Sequence, residues 1–302
     1  MAAVARGGSA LRSVRARPAV LAASAPPSYN RAFETGKGVS THYLAVATEA
    51  ALRAGAIQKA RYGQAIQIQQ KGEIDLVTEV DRACEDAILD VLRSRCPGHD
   101  IVTEETDLAR TGSRYVWFTD PLDGTTNYAH GYPFFCTSVA LTVDGSTVAG
   151  AVYDPIKDEL FTAERGQGAR LNGKPLRVTS CSTLLRSLLV TGFPYDLRDD
   201  LRAKLALFNR FMGHARAIRR DGAAALDLCY VAAGRVDGFW EERLQPWDMM
   251  AGALMVEEAG GKVTRYDGSP LGLRADEILA ANPGLHAAMM DVLRAEPSPS
   301  PS

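Results

Sequence analysis

The sequence predicts an α+β first half and an α/β second half, dividing near Val178. Three observations carry that expectation. Apolar residues at helical spacing open the ordered part of the chain, and a run of strands broken by Asp-Gly and Asn-Gly turns fills the middle. From Ser187 onward, strand and helix patterns alternate.

Leu44, Ala47, Ala51, Leu52 and Gly55 share one helical face, which predicts a first helix from about Thr41 to Tyr62 with Gly63 as its stop. Lys71–Asp75 is a polar connector leading into Leu76 and Val77. Thr78 and Asp81 have the spacing of a capping box. They open a second helix with Val80, Cys84, Ile88, Val91 and Leu92 inward, ended by Pro97-Gly98. Ile101–Glu104 is a short strand. Tyr115–Thr119 is apolar, aromatic and β-branched, so it reads as a buried strand. It is expected to stop near Asp120, because Pro121 has no N–H for a ladder and Gly124 breaks the pattern again. Phe134–Val143, Asp144-Gly145 and Thr147–Tyr153 form a hairpin pattern, and Glu159–Ala163 and Ala169–Leu171 continue the meander to Asn172-Gly173. The later strands are Ser187–Thr191, Ala217-Ile218, Val236–Trp240 and Ile278–Ala280. The later helices are Leu201–Met212, Ala223–Ala233, Trp247–Ala259 and one from about Gly284.

Composition narrows the function. With 302 residues, 46% hydrophobic and 23% charged, the chain has ample core, and a net charge of −2 argues against a general nucleic-acid binder. The five cysteines are scattered without a Cys-x-x-Cys pair, which makes a zinc site improbable. No apolar run reaches the roughly eighteen residues that a membrane span needs. Residues 1–40 are rich in Arg, Ala, Ser and Pro with no acid before Glu34, which is the composition of a disordered organellar transit peptide, for plastid or mitochondrion. The alternative is a plain disordered arm on a cytoplasmic protein. Residues 295–302, ending in a Pro-Ser repeat, are expected to be disordered.

Asp120 and Asp123 fall on one tight turn, and Gly124-Thr125-Thr126-Asn127 then offers a helix N-terminus that favours an anion. Two carboxylates beside an anion site repel it unless cations lie between, and magnesium suits such oxygen donors. A capped Asp-Gly turn explains the same residues without a metal. Glu104-Glu105 is either a solvated turn or, a hairpin-like distance from Asp120, a neighbour to it. Asp81 and Asp248 each stand where a helix dipole favours an acid.

Read together, Asp120-Pro-Leu-Asp-Gly-Thr-Thr-Asn127, Glu104-Glu105 before it and Trp247-Asp248 far after it resemble the inositol monophosphatase family of magnesium-dependent, lithium-sensitive phosphatases. The resemblance covers roughly Thr41 to Val292. It implies the layered αβαβα sandwich of the inositol monophosphatase/fructose-bisphosphatase type, with the site between the halves, and usually a homodimer. It also implies two or three magnesium ions. One is held by Glu104, Asp120 and the Leu122 carbonyl, another by Asp120, Asp123 and Asp248, and a weaker third lies near Glu104. By the same resemblance Thr125, hydrogen-bonded to Asp81, activates water with Glu104. Gly124 and Thr125 cradle the phosphate, and Ala224, Glu241 and Asp248 meet a small phosphorylated polyol. The substrate implied is a myo-inositol monophosphate. Histidinol phosphate, fructose 1,6-bisphosphate and a non-catalytic regulatory role are the alternatives. Two features depart from the animal relatives: Gln245-Pro246 before Trp247, and Ala223 where they carry a hydroxyl residue. Arg219 and Arg220 are either solvated or able to admit a second phosphate.

Overall fold

The computed structural model describes residues 38–65, 68–70, 76–193 and 201–295. Of the 1–40 arm expected to be disordered, residues 1–37 lie outside them, as do the Lys71–Asp75 connector and the tail from residue 296, while residues 38–40 belong to a helix. The chain opens with α1 (Gly38–Arg61), three residues before the expected start, and Gly63 follows it with φ 74°. β1 (Ile68–Gln70) and β2 (Leu76–Thr78) form a two-stranded antiparallel ribbon. The capping box at Thr78 is present and starts α2 (Glu79–Arg95).

A seven-stranded sheet follows: β3 (Asp100–Thr103), β4 (Tyr115–Asp123), then after the short α3 (Thr125–Ala129), β5 (Cys136–Val143), β6 (Ser146–Asp154), β7 (Glu159–Glu164), β8 (Gly168–Leu171) and β9 (Lys174–Pro175), adjacent in that order. The β5–β6 turn has both central residues at positive φ, Asp144 at 49° and Gly145 at 81°, as the twist of a two-residue hairpin demands. Asn172 and Gly173 repeat this between β8 and β9.

The second sheet holds β10 (Leu188–Thr191), β11 (Ala217–Arg219) after α4 (Leu201–His214), β12 (Gly238–Glu242) after α5 (Ala224–Ala232), β13 (Lys262–Thr264) after α6 (Pro246–Glu258), and β14 (Glu277–Ala281), which leads into α7 (Pro283–Arg294). Its order is β11-β10-β12-β14-β13. β10 runs parallel to β11 and β12, but β14 is antiparallel to both β12 and β13. The alternation of strand and helix therefore gives a mixed sheet, and three-residue β13 is too short to have shown a period.

Five layers result. α1 and α2 pack together on β4–β7; α6 covers the opposite face of that sheet and packs on α5; α5 and α6 also meet the second sheet, whose far side carries α7 with α4. Apolar clusters fill the spaces between them. Small residues set the central spacing: a Cβ on Gly252 of α6 would lie 2.5 Å from Leu228 Cβ of α5. The layered sandwich is thus present. Among the described residues, no helix is long and apolar enough to cross a membrane.

One expectation fails here. β4 does not end at Asp120 but continues to Asp123, with a register shift between Asp120 and Asp123 that accommodates the proline. β3 is the strand adjoining β4, as a neighbour of Asp120 requires, and the two run parallel, Thr103 opposite Thr119.

Candidate active site

Asp120 pairs with Ser138 and Asp123 with Cys136, so β4 carries one residue more than β5 across this step. That bulge is where Pro121 costs the ladder nothing. Gln58, fully buried on α1, holds it in place: its Nε2 donates to the Pro121 carbonyl and to Thr137 Oγ1, each at 2.8 Å. The Leu122 N–H donates to Asp120 Oδ1 at 2.9 Å. Gly124 then turns the chain at φ 91°, where a Cβ would sit 3.0 Å from the Phe134 carbonyl, and α3 begins.

Parallel pairing is what brings Glu104 to this point. With Thr103 opposite Thr119, the next residues along the two strands are Glu104 and Asp120. A hairpin would have set Glu104 near Tyr115 instead. Glu85 of α2 straps this corner, accepting from Thr103 Oγ1 at 2.8 Å and Thr106 Oγ1 at 2.5 Å. Asp100 closes the return to β4 by accepting the Thr111, Gly112 and Ser113 N–H groups at 2.8, 3.0 and 3.1 Å. The Thr111 N–H, first among these donors, holds the Asp100 carboxyl below its ordinary range.

The remaining acids come from helix starts. Asp248 Oδ2 accepts the Gln245 N–H at 2.7 Å as part of a capping box on α6, and Ser138 Oγ ties this helix start to β5 through the Trp247 carbonyl at 3.0 Å. Asp81 Oδ2 accepts the Thr78 N–H at 2.8 Å, while its Oδ1 takes Thr125 Oγ1 at 2.9 Å. Asp123 Oδ2 accepts the Ala225 N–H at 2.8 Å and lies 3.6 Å from Cys136 Sγ. The first-turn N–H of Ala225 is therefore spent on a carboxylate, and Ala224 is the α5 residue that faces the cleft. Asn127 Nδ2 donates to the Asp221 carbonyl at 2.8 Å and fixes the loop before α5 against α3.

A cleft of about 720 Å³ is lined by every predicted metal and substrate residue: Glu104, Asp120, Leu122, Asp123, Gly124, Thr125, Ala224, Glu241 and Asp248. Asp81 is buried behind it, reached through Thr125. Arg220 lines the cleft and Arg219 does not. His130 is a surface residue bonded to the Thr126 carbonyl.

The acids raise one another's pKa. Burial pushes Asp120 well above the carboxylate range, and the Glu104, Asp123 and Asp248 charges push it further. Burial lifts Asp123 to about 6 against its Ala225 hydrogen bond. Asp248 is raised by burial and then by the Asp123 charge. Glu241 rises to about 8 through burial and the Asp123 charge, opposed by Arg220. Arg220 and Arg243 also line the cleft, but six acids outnumber them: Glu104, Asp120, Asp123, Glu241, Glu242 and Asp248.

The inositol monophosphatase family model matches residues 40–297. The chain belongs to the inositol monophosphatase family. An inositol-1-monophosphatase of Synechocystis sp. is 45% identical over 257 residues, covering 84% of this chain and 90% of that protein. The Nus factor SuhB of Escherichia coli is 43% identical over 256 residues, covering 84% and 96%. Among solved structures, the extragenic suppressor protein suhB from Bartonella henselae aligns with a TM-score of 0.80 at 42% identity, covering 83% of this chain and 98% of the other.

The inositol monophosphatase family is generally metal-dependent, and the donor chemistry of this cleft fits a hard divalent cation. Asp120, Asp123 and Asp248 each have one oxygen held by a backbone N–H, and the donors facing the cleft are oxygens. Among the described residues, no group of three or more acidic, His or Cys side chains has the arrangement to hold an ion as it stands. Sequence reasoning missed Gln58, Glu85 and Gly192. Gln58 alone left a trace, a polar residue at the helical spacing of Ala47, Ala51 and Ala54 on the apolar face.

Proposed function

We propose that this chain hydrolyses phosphate monoesters with magnesium, and that its preferred substrate is a myo-inositol monophosphate. The observation that carries the reading is the convergence on one cleft of Glu104, Asp120, Asp123 and Asp248 with the Gly124–Thr125 turn. A cleft so acidic repels a phosphate dianion unless cations are bound. Glu104, Asp120 and the Leu122 carbonyl would hold one ion, and Asp120, Asp123 and Asp248 a second. When bound, magnesium neutralises the phosphoryl oxygens and acidifies water.

The chain's own groups do the rest. Thr125 Oγ1 is fixed between Asp81 Oδ1 at 2.9 Å and the Leu122 carbonyl at 3.0 Å, so its lone pairs have a set direction. Burial raises the Asp81 carboxyl, against hydrogen bonds from Thr78 and Thr125, which makes it the better proton acceptor behind Thr125. Glu104 and Thr125 orient the attacking water and pass its proton toward Asp81. The Gly124 and Thr125 N–H groups receive the phosphate, and Glu241 accepts a hydrogen bond from a ring hydroxyl of the leaving group.

The test is phosphate release from inositol 1-phosphate, fructose 1,6-bisphosphate, histidinol phosphate and phosphoadenosine phosphate, with magnesium and with chelator. Release from inositol 1-phosphate is expected to be fastest, to vanish with chelator and to be inhibited by lithium at low magnesium. The alternative, a non-catalytic regulatory role, predicts no release with any ester or metal. Residues 1–40 would serve as an organellar address, which N-terminal sequencing of the mature protein checks.

A further inference from the structure

Gly192 and Glu241 stand at matching places on the carboxyl ends of two parallel strands. β10 and β12 pair Val190 with Phe239 and Thr191 with Trp240, so the next step along each strand sets Gly192 beside Glu241. Both line the cleft. A Cβ built on Gly192 would lie 2.0 Å from Glu241 Oε1 and 2.2 Å from both its Oε2 and its Cδ. No turn demands glycine here, since Gly192 is not among the residues at positive φ. Room for the carboxylate does.

The backbone cannot easily give way. Thr191 Oγ1 donates to the Trp240 carbonyl at 2.6 Å and locks the two strand ends together, and Gly192 is itself buried. The Glu241 carboxylate is the far end of a flexible, partly buried side chain, so it is the part that any added side chain would displace.

We propose that Gly192 is a positioning residue for substrate choice: by having no side chain it gives the Glu241 carboxylate its place in the cleft, and with it the preference for leaving groups rich in hydroxyls. The inference rests on the phosphatase reading above. A polyol offers hydroxyl donors to that carboxylate and phenyl phosphate offers none, so the pair of esters separates recognition of the leaving group from the phosphate chemistry.

The experiment compares kcat and KM for inositol 1-phosphate and phenyl phosphate, with magnesium, in the full chain, Gly192→Ala, Glu241→Ala and the double variant. Losing one hydrogen bond to a charged group is worth about tenfold in affinity. Gly192→Ala is therefore expected to raise KM for inositol 1-phosphate about tenfold while kcat/KM for phenyl phosphate stays within about twofold. In the Glu241→Ala background the same glycine change should alter neither the ester ratio nor the melting temperature, because the space is then free. An unshifted ratio in Gly192→Ala, or an equal effect of the substitution in both backgrounds, overturns the inference. Should Gly192→Ala fail to fold, recovery of folding in the double variant supports the contact and failure there too overturns it. A wild type that hydrolyses neither ester removes the phosphatase reading and this inference with it. Wild-type turnover with an unshifted ratio removes this inference alone.

Discussion

At the scale of single residues, the aspartates at helix starts hold the backbone with one carboxylate oxygen. Asp248 caps α6 with Oδ2, and Asp81 completes a capping box with Oδ2 while Oδ1 meets Thr125. The helix-start reading of these aspartates holds, and it does not compete with the functional one, which is why sequence spacing left the alternatives open. Asp120 is the residue on which the arrangement turns, since it is buried among three other charges. Mutating groups that merely orient metal ligands commonly costs ten- to a hundredfold. Asp120→Asn is therefore expected to lower magnesium-dependent phosphate release by more than about a hundredfold. The same change removes a repelled charge, so the metal-free melting temperature should be unchanged or higher. Full activity in this variant would refute its assignment. A clear fall in metal-free stability would refute the argument from repulsion.

At the scale of elements, the site depends on how strands are joined to helices. Gln58 of α1 reaches across to the β4 bulge, so a helix on the far side of the sheet fixes the spacing of Asp120 and Asp123. Gln58→Leu keeps the apolar packing but leaves the Pro121 carbonyl with only Thr137 Oγ1, at 3.2 Å. It is expected to cost about 1–3 kcal/mol, the usual penalty for a buried polar group that loses its partner. The apparent magnesium affinity should weaken with it, measured by titration of activity alongside thermal melting. Unchanged values for both would show that the bulge holds its shape unaided. Most elements were legible because their periods were long or their turns chemically marked, as with Asp144-Gly145 and the Thr78 box. Strand direction was not legible. The ten residues between Glu104 and Tyr115 suited a hairpin by length alone, yet the Asp100 carboxylate gathers three N–H groups of that loop and returns the chain for a parallel strand. Pro121 likewise signalled an end to β4, because a bulge is a property of two strands and one strand's sequence does not reveal it. The site residues themselves were legible through a family resemblance. The groups packed around them, such as Glu85, act through space and carry no local pattern.

At the scale of the whole molecule, the acid cluster and His286 respond oppositely to pH. Asp123, with a folded pKa of about 6, and Glu241, with one of about 8, both bind protons more tightly folded than unfolded. Stability from that source is full at low pH and is lost as pH rises through these values. His286 works the other way. It is buried against Thr264 Oγ1 at 2.9 Å, and burial, then the Lys262 charge, lowers its pKa to about 4. Its contribution therefore grows with pH until the unfolded histidine has lost its proton, near the ordinary pKa of about 6.5. Above that point the histidine no longer offsets the acids. With a chelator present, the melting temperature should fall between pH 6.5 and 8.5. Magnesium should flatten that slope, since a cation beside Asp123 removes one of the charges that hold Glu241 up. Glu241→Gln should flatten it without metal. A metal-free protein whose melting temperature holds or rises over the same interval would mean that the carboxylates do not share one field, and the case for cations between them would lose its physical basis.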